Sequence, residues 1–240
     1  MSATRTRTVL IALALLAFVI PATPARADLV SAGDTVKISI VNSLSLPPGF
    51  DVSRYPGPEH YTGGPFGVEN ETTHDVWVTF CIERGQKIKN EGEYRVKAVG
   101  NSTSGTDPAA QPLSDAAAWL YETFRADAFG TLALSTGNFT FNRTSGSDTR
   151  ILQHALWLAQ GFAIEAPDPV AAALKTYAAS QTHSGIVQIV QLEQWVDGAW
   201  VDRQDVLALR QVPEPASMAL LGVGLAGMAA AARRRQRRDH

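Results

Sequence analysis

The stretch Asp75-Val76-Trp77-Val78-Thr79-Phe80-Cys81-Ile82-Glu83 decides the fold. β-Branched and aromatic residues dominate it, and it is too short and too branched to read as a helix. In a strand successive side chains point to opposite faces. Val76, Val78 and Phe80 therefore share one face, and Trp77, Thr79 and Cys81 the other.

Other strands can be read outward from this one. Thr35 to Ile40 alternates with period two. Residues 42–70 are rich in Pro, Gly and Ser and read as a long loop, with Tyr55 and Tyr61 inside it. Glu93 to Val99 reads as a strand, and Lys87 to Gly92 as the hairpin connection that joins it to the Cys81 strand. A helical block follows. Ser114-Asp115 is a cap signal before Ala116–Ala126, where Ala117, Leu120, Tyr121 and Phe124 share a face. Ser147-Asp148 opens a second helix, Thr149 to Gln160, with Gly161 as its stop. Asp168 to Ala179 gives a third. After Gly185 the pattern returns to strands, and Asp197-Gly198 between Gln194-Trp195-Val196 and Ala199-Trp200-Val201 signals a hairpin. The order strands, helices, strands predicts an α+β fold: a mostly antiparallel, barrel-like sheet body with an inserted helical block.

The 240 residues carry a formal net charge of −2, spread unevenly. Three arginines lie in residues 1–27 and five in residues 233–238. Between Asp28 and Val212 there remain 13 basic against 21 acidic side chains, a net of −8. This acidic body lacks the basic stripe that a nucleic-acid backbone demands, so no nucleic-acid partner is expected. Residues 1–27 read as a signal peptide: Arg5 and Arg7, then twelve apolar residues from Val9 to Ile20, then Ala25-Arg26-Ala27 as a cleavage site. Residues 28–211 form the extracellular body. The last segment, 212–240, holds Pro213-Glu214-Pro215, then 17 uncharged, Gly- and Ala-rich residues from Ala216 to Ala232, then arginines from Arg233 to Arg238. Seventeen residues is the short limit of a membrane-spanning helix, and Arg233, Arg234 and Arg235 would hold its end on the cytoplasmic side. This tripartite tail resembles the PEP-CTERM sorting signal of exopolysaccharide-producing Gram-negative bacteria. The resemblance implies export to the cell envelope or matrix, transient anchoring through 216–232, and processing by a membrane protease, an exosortase.

Common enzyme signatures are missing. None of the five histidines pairs at i, i+4, and there is no GxSxG, P-loop or GxGxxG. No metal site and no cofactor is expected. The single cysteine, Cys81, excludes an intrachain disulfide and a cysteine-based zinc site.

The remaining chemistry lies in two short motifs, Phe80-Cys81-Ile82-Glu83 and Leu152-Gln153-His154-Ala155-Leu156-Trp157. Together they resemble the thioester (TQxA-type) domains of bacterial surface adhesins, where a strand cysteine and a helix glutamine join with loss of ammonia. Gln153, Ala155 and Trp157 match the family helix, and Ala117-Ala118-Trp119-Leu120-Tyr121 looks like its intervening helix; Leu152 stands where the family usually has Thr or Ser. The resemblance implies a Cys81–Gln153 thioester, with Trp119, Tyr121, His154 and Trp157 as its supporting pocket. It also implies attachment to amines or hydroxyls of surface proteins, matrix proteins or polysaccharide, in a single turnover rather than as an enzyme. The alternative is a non-covalent structural or carbohydrate-binding module, in which Trp195 and Trp200, with Tyr55 and Tyr61, stack on sugar rings.

Overall fold

In the computed structural model, residues 30–39, 65–84, 88, 92–105 and 109–210 are described. They fall in one compact unit, residues 26–212, and the chain ends, 1–25 and 213–240, lie outside the described residues. The signal-peptide and sorting-tail segments, Tyr55 and Tyr61 therefore lie outside them too.

Six strands form one sheet: β1 (Thr35–Ser39), β2 (Phe66–Asn70), β3 (Val76–Thr79), β4 (Gly92–Gly100), β7 (Val187–Val196) and β8 (Ala199–Leu209). Their order is β3-β2-β1-β4-β7-β8, and every neighbouring pair is antiparallel. Between β4 and β7 the chain builds the helical block: α1 (Asp115–Arg125), a small hairpin of β5 (Thr131–Leu134) and β6 (Gly137–Thr140), α2 (Gly146–Ala159) and α3 (Pro169–Ala178). Among the described residues no helix is long and apolar enough to cross a membrane.

The alternation read in Asp75–Glu83 sorts into two cores. Trp77 and Cys81 pack with Val36, Ile38, Val68, Tyr94, Val190 and Val206 in an inner cluster that Trp157 joins. Val78, Phe80 and Ile82 pack with α1, α2 and α3 in an outer cluster that includes Leu120, Phe124, Leu152 and Leu156. The helices thus cover one face of the sheet, and the curled sheet covers its own other face.

That curl brings the first and last strands together at a seam. Beyond β3, Cys81 forms an antiparallel bridge with Val206, and Ile82 N–H donates to Asp205 O at 3.0 Å. Before it, the Thr79 hydroxyl replaces a strand partner: it accepts from Leu207 N at 2.8 Å and donates to Leu207 O at 2.6 Å. Trp77 Nε1 also donates to Leu207 O, at 3.2 Å, and the Tyr121 hydroxyl lies 2.9 Å from Val78 O and 3.0 Å from Leu207 O. Side chains so occupy backbone groups that a bare edge would leave unpaired.

Four expectations are corrected. β3 and β4 are not a hairpin, because β2 and β1 lie between them in the sheet. The 42–70 loop ends in a strand, β2, whose pairing with β1 and β3 outweighs its weak local signal. The helical block is interrupted by β5 and β6, where Thr-Leu-Ala-Leu and Asn-Phe-Thr-Phe each alternate with period two. Finally, α2 starts earlier than Thr149: Ser145, in an extended conformation, is the cap and accepts from Asp148 N at 3.3 Å. Ser147 sits inside the first turn.

Candidate functional site

The N–H groups of adjacent strand residues point to opposite sides. Ile82 directs its N–H to Asp205 on β8, so the N–H and C=O of Cys81 point the other way, toward α2. There the Gln153 carboxamide meets both: Cys81 N–H donates to Gln153 Oε1 at 3.2 Å, and Gln153 Nε2 donates to Cys81 O at 2.7 Å. Gln153 is 0% and Cys81 5% exposed, so the contact is dry. One helical turn on, Trp157 Nε1 donates to Glu83 O at 3.0 Å. The spacing explains the match. Four helix residues rise about 6 Å, and two strand residues span about 6.6 Å. Gln153 and Trp157 therefore engage Cys81 and Glu83 in step. Gln204, from β8, also donates its amide to Glu83 O.

Beside this contact lie two buried carboxyl groups, Glu83 and Asp205, 1% and 0% exposed. Ser104 N–H donates to Asp205 Oδ2 at 2.5 Å, and the Ser104 hydroxyl lies 3.4 Å from Glu83 Oε2. Glu83 Oε1 and Asp205 Oδ1 have no hydrogen-bond partner. Burial raises the pKa of both groups. Asp205 is pushed up to about 8, first by burial and then by the negative charge of Glu83. The pair thus holds a proton at neutral pH, because two adjacent buried carboxylates cannot both ionise cheaply.

The other expected pocket residues divide. His154 is half-buried and stacks on Trp157 with ring centroids 5.9 Å apart. Burial, then the Arg150 charge, lowers its pKa, so the ring is neutral at pH 7. The Arg84 guanidinium lies 6.0 Å over the Trp157 ring and donates to Ala163 O. Tyr121 lies in the β3–β8 seam. Trp119 lies elsewhere: it packs in the outer cluster against Phe129 and Tyr177, with centroids 5.8 and 5.7 Å away. Leu152 is fully buried in the same outer cluster, which explains an apolar residue there. Sequence reasoning missed Thr79, Ser104, Gln204 and the Glu83–Asp205 pair. A single acid opening the apolar run Asp205-Val206-Leu207-Ala208-Leu209 was the available signal.

Among the described residues no group of three or more His, Cys, Asp or Glu side chains could hold a metal ion. Pro213, Glu214, Pro215, Arg233, Arg234 and Arg235 lie outside the described residues. Residues 211–235 match the PEP-CTERM protein-sorting motif. No curated protein and no solved structure gives a match to the chain. The motif points to an exported protein linked to the cell envelope and processed by an exosortase.

Proposed function

We propose that the exported body is a cell-surface or matrix module that attaches covalently to its target through an internal thioester between Cys81 and Gln153. The observation that supports this reading is the buried clasp of the Gln153 carboxamide on Cys81. It holds an amide and a thiol-bearing residue together out of water, the condition for a high effective concentration and for survival of an acyl–sulfur bond.

The chemistry is an acyl exchange. Cys81 sulfur attacks Gln153 Cδ, the C–N bond breaks, and the thiol proton leaves with the amide nitrogen as ammonia. A target amine later attacks the same carbon. Its lone pair forms a new C–N bond, the C–S bond breaks, and Cys81 takes up the proton as a thiol. A target hydroxyl gives an ester by the same route. Each molecule reacts once, so the body is not an enzyme. The tail, by this reading, spans the membrane through 216–232 until an exosortase acts near Pro213-Glu214-Pro215, in the envelope of a Gram-negative cell.

The test is the intact mass of the exported chain, with and without methylamine. A mass lighter by one ammonia, and a methylamine adduct mapped to Gln153, are expected. An unmodified mass, with Cys81 alkylated after unfolding in every molecule, would overturn the reading.

A further inference from the structure

A second site lies at the far end of β8, independent of the thioester reading. Asp197 and Gly198, with φ of 51° and 87°, turn the chain between β7 and β8 and set Trp195 opposite Trp200. The two indoles meet edge to face, with centroids 5.2 Å apart. Trp195 is 56% and Trp200 43% exposed, and with Val201 they are the exposed large hydrophobic residues of the described chain. The two indoles form part of the wall of a groove of about 690 Å³ that Thr35, Glu93, Arg95 and Gln194 also line. Neither tryptophan joins a core cluster, so packing does not account for them.

The charges in the groove select the ligand class. Paired tryptophans attract cations over their faces. Over Trp200 that position is filled: the Arg95 guanidinium lies 3.7 Å from the Trp200 ring centroid, which leaves Trp195 as the open ring. Arg95 is held there by Glu193, with Nη2 and Nε at 2.5 and 2.6 Å from Oε1. The same pairing neutralises Arg95, and the Glu93 carboxylate lines the groove, so an anionic ligand gains nothing either. The groove fits a neutral molecule with a flat C–H face and a rim of hydroxyls. Trp195 offers a flat apolar surface. Thr35, Glu93 and Gln194 offer both donors and acceptors, and Gln194 is oriented by Arg203 Nε on its Oε1 at 3.2 Å. The volume exceeds what one sugar ring fills and suits an extended chain.

We infer that the Trp195–Trp200 groove binds neutral hexose polysaccharide by stacking a pyranose face on Trp195. This gives the protein a reversible hold on a glycan in addition to any covalent one.

The test is affinity electrophoresis of the full chain, kept in a sugar-free detergent. The gels contain a neutral glucan, a neutral galactomannan or acidic polygalacturonate. Retardation is expected in at least one neutral gel and not in polygalacturonate. Trp195→Ala should weaken it tenfold or more, and Trp195→Phe should restore part of it. Free oligosaccharide should reverse it, which an ester link would not allow. The inference is overturned by no retardation in either neutral gel, by equal retardation of Trp195→Ala, by equal retardation in polygalacturonate, or by retardation that free oligosaccharide does not reverse.

Discussion

β8 passes through two opposite environments. From Asp205 to Leu209 every residue is buried, and polar groups there meet partners from three other parts of the chain: Thr79 on β3, Tyr121 on α1, and Ser104. At Trp200 the same strand stands in water beside Trp195, which is still more exposed. At the seam, side chains complete a barrel wall that two strand edges leave unfinished. Each residue there has a structural duty, whatever chemistry it also performs. At the hairpin tip neither indole joins a core, and two large apolar rings stay exposed against the usual preference for burial. Substitutions should therefore separate the two regions: large losses of stability at the seam, and loss of binding without loss of stability at the tip.

The largest effect is expected from Gln153→Ala. It strands the N–H and C=O of Cys81 in a dry site and leaves a cavity. Each unsatisfied buried group costs about 1–3 kcal/mol, so the total is roughly 4 kcal/mol. In a domain of this size the melting temperature should fall by about 10 °C, read by circular dichroism. Cys81→Ala sharpens the result. If the thioester closes the loop of 72 residues, its removal costs about 4 kcal/mol in the chain-entropy model. A loss near 1 kcal/mol would mean that Gln153 acts as a clasp alone.

Next comes the Glu83–Asp205 pair. Asp205 has its ordinary carboxylate pKa when unfolded and about 8 when folded. The folded state therefore binds more protons than the unfolded state between those values, and stability falls as pH rises through that window. The group's contribution is fully present below about pH 4 and lost above about 8. The melting temperature should drop by about 5–10 °C between pH 5.5 and 8.5, and Asp205→Asn should flatten that drop. Parallel pH profiles for the two proteins would show that Asp205 ionises without cost.

How much of this was legible follows from where each signal lives. Asp75–Glu83 disclosed a strand and the residues that share each of its faces, because alternation is local. Asp197-Gly198 disclosed the hairpin because its turn demands positive φ. Ser114 and Asp168 disclosed their helices because a cap is a local hydrogen bond, from Ala117 N in one and Val170 N in the other. Strand partnership is not local. β3 pairs with β2 and meets β8, while chain proximity suggested β4. The Cys81–Gln153 contact could be anticipated from two motifs in order. The Glu83–Asp205 pair left only a faint signal, Asp205 opening an apolar run, because isolated acids near strand ends read as solvated. Only the segment carrying Ser104 makes them buried.

Thr79→Val tests the seam with less disturbance. The two side chains have nearly the same shape, so the change removes the hydroxyl that pairs with both polar groups of Leu207. Leu207 O keeps Trp77 and Tyr121, which leaves Leu207 N as the stranded group. The expected loss is about 2 kcal/mol, measured by urea unfolding. A neutral result would mean that water reaches the strand edge.

The smallest effect on stability is expected at the tip, and its smallness is the point. Trp195 joins neither core, and its ring meets that of Trp200 edge to face. Trp195→Ala should change unfolding free energy by no more than about 0.5 kcal/mol, as surface substitutions do. Trp157→Ala, a change between the same two residue types, should cost about 3–5 kcal/mol, because Trp157 is 5% exposed and donates to Glu83 O. A Trp195→Ala loss as large as that at Trp157 would mean that the tip indole stabilises the hairpin, and its exposure would then no longer point to a ligand. A stable Trp195→Ala protein that no longer binds glycan would instead separate the two ends of β8: the seam holds the fold together, and the tip recognises the ligand.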